Sequence, residues 1–454
     1  MRNYSFRISV YLAACAGSII ALSTGAFFAI WYPFVRWNNS TGHLTGLANL
    51  LMAVIIYAML IGLFIFALGG FRIGTNRLSD TITAQIVSFF LVDVLEIFIS
   101  CAISGQYRFW PDFLWRYFLL FLVESAVIGV LTYLMTRFYC RLFPPYDVLE
   151  IVGDYTNSLD PKIETRKDLF HVTEKLSWRL DEKELEAAIR RHDAVLLNDL
   201  PDEARNTMMK LCYERDKRVY FTPKLSDILV KYSGELYAFD TPLYFRRNIE
   251  LLLPQRAIKR FFDILLSLTA LIVLSPLFLV VMAAIKLEDG GPVFFKQKRA
   301  TINGREFWIL KFRSMIVDAE ASGKPHPAEN GDKRISKVGK VIRAARIDEL
   351  PQLINILIGD MSIVGPRPER LEHVRAYTEE IPEFAFRLKV KGGLTGFAQI
   401  YGKYNTTPLD KLKLDLIYIT NYSLILDLRI LFETLRVVFK KESTEGFTSD
   451  GKPG

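Results

Sequence analysis

Four long runs with almost no charged side chains occupy the first third of the chain, at residues 8–35, 47–70, 82–104 and 113–135. Each reaches the roughly 20 residues that a helix needs to cross a hydrocarbon core. Trp31, Tyr32, Trp37, Trp110 and Trp115 flank them, where interfacial aromatic belts lie. A soluble bundle would carry polar side chains along one face of each helix, and such faces are absent. The runs are therefore expected to be transmembrane. Composition agrees: 51% of the 454 residues are hydrophobic and the mean hydropathy is +0.20. Disordered, collagen-like and small disulfide-rich chains are excluded.

The basic flanks orient these spans. Arg2, Arg7, Arg72, Arg77, Arg137 and Arg141 lie on one side, Arg36 and Arg108 on the other. The positive-inside rule then puts both ends of the four-helix unit in the cytoplasm. The first run is too long for a signal-peptide core and is read as retained. Asp93, Glu96 and Glu124 fall within spans, and intramembrane acids are functional candidates by default. Here they are expected to pair with Arg116 or to lie near the interface. Cys15, Cys101, Cys140 and Cys212 form no CxxC pair, and the five histidines are scattered. Neither a disulfide framework nor a zinc site is indicated. The net charge of +8 suits a membrane surface as well as a nucleic acid.

From Tyr146 the composition becomes that of a soluble domain. Strands are expected at 147–152, 194–197 and 218–221, alternating with helices at 183–191 and 202–215. That order predicts a small parallel-sheet, Rossmann-like α/β domain. The first turn, Val152-Gly153-Asp154-Tyr155, has one glycine where a dinucleotide fingerprint needs three. Cofactor binding is not expected there.

A fifth apolar run, 261–285, has cationic flanks at both ends: Arg256, Lys259 and Arg260 before it, Lys286, Lys296, Lys298 and Arg299 after it. Ser275-Pro276 sits near its centre, and proline favours a break there. A helix-break-helix hairpin dipping into one leaflet satisfies both facts. An ordinary kinked crossing stays open on the flanks alone; it would place everything beyond Lys286 outside the cell.

Short motifs crowd residues 286–403. Lys311-Phe312-Arg313-Ser314-Met315 alternates basic and apolar side chains. Arg334, Lys337, Lys340, Arg343 and Arg346 recur every three or four residues and lead into Asp348-Glu349. Adjacent carboxylates can hold a divalent metal, and one can act as a nucleophile. Arginine forks suit phosphate oxygens, and Arg367 is fixed between Pro366 and Pro368. Together they suggest a phosphate-handling site beside a membrane. From spacing alone, a solvated helix face ended by Leu350-Pro351 explains the pattern equally well.

The stretch from Lys259 to about Thr434 resembles the bacterial sugar transferases, the monotopic phosphoglycosyl transferases. The motifs KRFFDILLS, GGPVFFKQKR, KFRSM, DELPQLINIL, GDMSIVGPRPE and GLTGFAQI follow in that family's order, and Asp415, Tyr418, Asn421, Ser423, Asp427 and Thr434 match its later pattern. The resemblance implies three parts. These are a four-helix transmembrane domain at 1–143, a Rossmann-like cytoplasmic domain at 144–253, and a re-entrant helix with catalytic domain at 254–454. The fold class expected is membrane α-helical plus α/β.

The implied activity is transfer of a sugar-1-phosphate from a UDP-sugar to undecaprenyl phosphate, releasing UMP. It would start exopolysaccharide, capsule or O-antigen (lipopolysaccharide) synthesis. By position, Asp348 would be the nucleophile and form a phosphosugar-aspartyl intermediate. Glu349 would act with Mg²⁺, so Asp348 and Glu349 are the implied metal ligands. Arg343 would hold phosphate oxygens, with Lys311, Arg313, Arg334 and Arg367 as further substrate contacts. Because UDP-sugars are cytoplasmic, the resemblance favours the hairpin broken at Ser275-Pro276. It places the chain in the bacterial inner membrane, in contact with its lipid, with the catalytic domain on the cytoplasmic face and no nucleic acid partner. A homodimer is the arrangement that the family suggests.

Residues 412–439 read as interfacial helices. Three positions depart from the family pattern: Gly392 where proline is usual, Thr301 where glycine is common, and Ser336 where threonine is usual. Two other function classes compete. One is a non-catalytic membrane scaffold; the other is a nucleotide-sugar epimerase or dehydratase acting through the middle domain.

Overall fold

The computed structural model describes residues 2–38, 47–104, 108, 110–154, 157, 159–238, 240–245, 253–317, 332, 334–402 and 406–438. The chain forms two compact units, Met1–Pro223 and Lys224–Gly454.

The first unit opens with α1 (Arg2–Asn38), α2 (Leu47–Ala67), α3 (Leu78–Ser104) and α4 (Trp110–Leu142). All four are long and apolar enough to cross a membrane. Their amphipathicity is inside out. Leu51, Met59, Leu63, Phe66, Phe98 and Val130 point outward, while Ser88, Asp93, Glu96, Ser100, Glu124 and Thr132 are buried between the helices. Lipid is a good solvent for the first set, so the packed interior is where polar groups find partners. Tyr57 Oη donates to Glu124 Oε1 (2.7 Å), and Trp31 Nε1 donates to Ser100 Oγ (3.0 Å). The expected pairing with Arg116 does not form. Arg116 lies over the Phe34 ring and donates to the Asp112 carbonyl, while the three acids face the bundle interior. An arginine near a span end reaches the interface more cheaply than the core.

The α/β part follows as β1 (Tyr146–Val152), α5 (Leu159–Glu164), β2 (Phe170–Ser177), α6 (Glu182–Arg191), β3 (Ala194–Asn198), α7 (Asp202–Glu214) and β4 (Arg218–Phe221). The sheet is parallel, in order β2-β1-β3-β4. Strand β2, absent from the expected set, is an edge strand with every second residue exposed. The strand order reverses between β1 and β3, the place where such sheets bind ligands. Here the chain fills it: Gly153 N donates to Asn198 O (2.8 Å), and a Cβ on Gly153 would lie 2.0 Å from Asp199 O. Tyr155, the last residue of that turn motif, lies outside the described residues.

The second unit contains α8 (Leu225–Lys231), the hairpin β5 (Gly234–Leu236) and β6 (Leu243–Phe245), α9 (Leu253–Val273) and α10 (Ser275–Asp289). Next come β7 (Phe294–Ala300), β8 (Glu306–Phe312), α11 (Lys337–Ala344), α12 (Gln352–Ile358), β9 (Ser362–Val364) and α13 (Leu371–Glu380). The unit closes with β10 (Gly393–Thr395), α14 (Phe397–Tyr401), α15 (Pro408–Thr420) and α16 (Leu424–Val438). The unit begins upstream of the expected boundary at 253/254, because Ile228 on α8 joins the core formed by Phe307, Leu353, Met361, Phe384 and Leu416.

Helices α9 and α10 are bent by 62° at Leu274, with Ser275 and Pro276 opening the second limb. On α9, Lys259, Asp263 and Ser267 are buried at intervals of four, while Phe261, Leu268, Ile272 and Val273 are exposed. The apolar side again faces out. Helix α15 is not interfacial: Leu412, Leu416, Tyr418 and Ile419 are core residues. Within 412–438 the large apolar side chains at the surface, Ile425 and Leu428, lie on α16, while α15 exposes Leu409 just before that stretch. The remainder of that stretch, from Phe439, lies outside the described residues.

Candidate active site

The acidic pair sits in a single 3₁₀ turn, Ile347–Glu349, between α11 and α12. Arg346 adopts a left-handed conformation (φ 55°) and reverses the chain just before it. Non-glycine residues seldom adopt that conformation, and its cost of about 1–3 kcal/mol is typical of functional turns. Helix α12 is fixed to strand β8 by Asn355, whose side chain donates to Trp308 O (2.8 Å) and accepts from Leu310 N (2.9 Å). Asn355 thus continues the strand's hydrogen bonding and brings Lys311, on β8, to the turn that precedes α12. Sequence reasoning missed Asn355; its only signal is a polar residue in the apolar run Leu353-Ile354-Asn355-Ile356.

Glu349 is held by two cations. Lys311 Nζ donates to Oε1 at 2.9 Å, and Arg367 binds both carboxylate oxygens. Burial alone would raise the Glu349 carboxyl, but Arg367 and Lys311 overcome it and hold it well below the usual range. Asp348 differs. Burial, then the neighbouring Glu349, push its carboxyl up, against the pull of Lys311, Arg343 and Arg367. Among the described residues no hydrogen-bond donor engages it. One carboxylate is therefore neutralised and locked, and the next is left with its oxygens free.

The other expected contacts divide. Arg343 acts on Asp348 through its charge alone. Arg313 instead pairs with Asp289 at the end of α10, because β8 ends at Phe312 and its alternation stops there. Arg334 is bound by its neighbour Asp332 through Nε and Nη2.

Both limbs of the bent helix pair contact the helices that flank this turn, at their far ends. Arg260 donates to Ile356 O and Leu357 O (both 2.6 Å), carbonyls at the end of α12; a cation is favourable there. Glu288 accepts from Lys337 N (2.7 Å) and Val338 N at the start of α11, where an anion is favourable. Each helix flanking the dyad is thus capped by a different limb.

Two departures from the family pattern explain each other. Thr301 Oγ1 donates to Asp360 O (3.0 Å) and accepts from Gly392 N (3.1 Å). Proline at 392 has no N–H to give, and glycine at 301 has no hydroxyl to take it. The third, Ser336, caps α11 by accepting from Gly339 N (2.9 Å), as threonine also would.

The family profile of the bacterial sugar transferases matches residues 254–441. A relative from Aeromonas hydrophila, named UDP-N-acetylgalactosamine-undecaprenyl-phosphate N-acetylgalactosaminephosphotransferase, is 37% identical over 329 residues, 70% of this chain and 73% of the relative. The chain belongs to the bacterial sugar transferase family. As a member it is a transferase enzyme with membrane-spanning helices. Two further relatives match the catalytic part. A UDP-glucose:undecaprenyl-phosphate glucose-1-phosphate transferase of Klebsiella pneumoniae is 43% identical over 182 residues, 39% of each chain. An uncharacterised sugar transferase of Bacillus subtilis is 40% identical over 202 residues, 43% of this chain and 97% of the relative.

Among the described residues no three histidine, cysteine or carboxylate groups are placed to hold a metal ion. The dyad offers the free oxygens of Asp348, with Glu349, whose oxygens Lys311 and Arg367 engage, beside them. That set fits Mg²⁺ in the mode where one or two carboxylates share the ion with substrate phosphates.

Proposed function

We propose that the chain transfers a sugar-1-phosphate from a UDP-sugar to undecaprenyl phosphate. The observation that carries this reading is the asymmetry of the dyad: Asp348 free and half-buried, Glu349 neutralised by Lys311 and Arg367. Asp348 attacks the β-phosphorus of the donor. The bond from that phosphorus to the bridging oxygen breaks, and UMP leaves with the electron pair. The phosphosugar then sits on the Asp348 carboxylate. An oxygen of the lipid phosphate attacks the same phosphorus and returns the carboxylate to its starting state.

Phosphoryl transfer depends mainly on positioning and charge neutralisation. Arg343 and Arg367 lie where they offset charge on the diphosphate, and Lys311 keeps Glu349 in place. Asp348 and Glu349 would hold Mg²⁺, which supplies further neutralisation of the phosphates. The bent pair α9–α10 is a re-entrant hairpin in the inner leaflet. Its outward apolar residues enter lipid, and its polar stripe anchors the catalytic body. The catalytic unit then stays on the cytoplasmic face of the inner membrane, where UDP-sugars and the lipid phosphate meet.

The test is a panel of UDP-sugars, including UDP-N-acetylgalactosamine and UDP-glucose, incubated with the full chain and undecaprenyl phosphate while UMP is measured. At least one donor releases UMP, and Asp348→Asn abolishes release. Undiminished release from that variant overturns the nucleophile assignment.

A further inference from the structure

Behind Arg367 lies a second charged assembly that does not touch Asp348 or Glu349. Arg387, 3% exposed, comes from the 3₁₀ turn Pro382–Lys389. Its Nε and Nη2 donate to Asp415 Oδ2 (3.1 and 2.7 Å), and Nη2 also donates to the Arg367 carbonyl (3.0 Å). Asp415, on α15, is 1% exposed. Arg387 Nη1 lies 3.5 Å from Glu369 Oε1, and Glu369 also receives Lys411. From the other side Arg299 Nη1 donates to the Pro368 carbonyl (3.2 Å). Two successive main-chain oxygens, at Arg367 and Pro368, are therefore each held by a guanidinium from a separate element.

A buried Arg–Asp pair is a poor device for stability alone, since well-packed apolar side chains of similar volume often do as well or better. What this pair adds is direction. The guanidinium fork is rigid, Asp415 fixes it, and its Nη2 also grips the one residue whose side chain binds both oxygens of Glu349. Prolines on either side of Arg367 leave that main chain little freedom of its own. A displacement of the fork therefore moves Arg367, and with it the charge on Glu349.

We propose that Arg387 and Asp415 are positioning residues, which hold Arg367 in register with Glu349 and so set the dyad without contacting substrate. This rests on the reading of Asp348 as nucleophile and Glu349 as its charged partner. Outer hydrogen-bond partners that orient metal ligands are typically worth about 10–100-fold in affinity or activity, and the same scale is taken for this fork.

The experiment is a cycle on the full chain in detergent with Asp415→Asn, Arg367→Gln and the double variant, followed by UMP release over a range of UDP-sugar concentrations. Asp415→Asn is expected to lower kcat by about 10–100-fold, with a much smaller change in KM for the UDP-sugar. In the Arg367→Gln background the same substitution has little further effect. Arg387→Lys, which keeps a charged donor, retains more activity than Arg387→Gln.

A merely structural role gives another pattern: less folded protein, no advantage of Arg387→Lys over Arg387→Gln, and losses that multiply in the double variant. That pattern, or wild-type kcat in Asp415→Asn, overturns the proposal. Should Asp415→Asn fail to fold, Arg387→Lys enters the same cycle. Asp348→Asn serves as the control. If it stays active the nucleophile reading fails, whereas if it is dead and Asp415→Asn behaves as wild type, only the positioning proposal fails.

Discussion

Thr301 and Gly392 should show reciprocal rescue. Gly392→Pro places the ring Cδ along the former N–H direction, toward Thr301 Oγ1, which lies 3.1 Å from that nitrogen. The ring and the hydroxyl cannot both occupy that space. Thr301→Gly alone leaves the buried Gly392 N–H without its acceptor, at about 1–3 kcal/mol. Glycine adds about 0.5–1 kcal/mol of backbone entropy. The sum, about 1.5–4 kcal/mol, corresponds to a fall on the order of 10 °C in the unfolding midpoint of a unit this size. In the double variant the clash is gone and no donor is stranded.

The contact that a Cβ at 392 makes with Pro368 is common to the single and double proline variants and cancels between them. The assay is the thermal midpoint by intrinsic fluorescence in one detergent at one scan rate, with UMP release measured alongside. The double variant should exceed Gly392→Pro in both readouts. Losses that simply add would refute the compensation.

Other outcomes follow from the same geometry. Because the Asp348 carboxyl is raised, kcat/KM should fall on acidification at a pH above the ordinary aspartate value of about 3.9. Lys311 is one of the cations pulling Asp348 down, so Lys311→Gln should move that limb to higher pH; an unmoved or lowered limb would count against the assignment. Topology is best probed at Leu287, 87% exposed at the end of α10. Gly290 has φ 72° and resists a side chain. In a Cys140→Ala background, Leu287→Cys should react only with a cytoplasmic reagent, and labelling from outside would sink the hairpin.

The four spans are readable because lipid imposes a composition over 20 residues that little else produces. The break before Ser275 is readable because proline leaves a local mark. The α/β strands with consecutive apolar residues, such as Val195-Leu196-Leu197, are equally plain, while edge strand β2 mixes His171, Glu174 and Lys175 into its alternation and escapes. The dyad, Lys311 and Arg367 are legible through their motifs. What spacing along the chain does not convey is which charges meet. Arg313 and Arg334 look equivalent to Lys311, yet Asp289 and Asp332 take them. Arg387 and Asp415 are 28 residues apart and meet only through the fold. The burial of Asp93, Glu96 and Glu124 in the bundle interior likewise depends on which helix face packs inward, and four nearly uniform apolar runs do not reveal it.

The central claim is that Asp348 becomes covalently bonded to a phosphosugar. Mixing the full chain with its UDP-sugar in the absence of lipid acceptor tests it most directly. A burst of UMP close to one per active site is expected, with the mass of one sugar phosphate gained on the peptide carrying Asp348. Adding undecaprenyl phosphate should discharge it, and Asp348→Asn should show neither burst nor gain. Turnover without the adduct, or an adduct on another residue, would contradict the account.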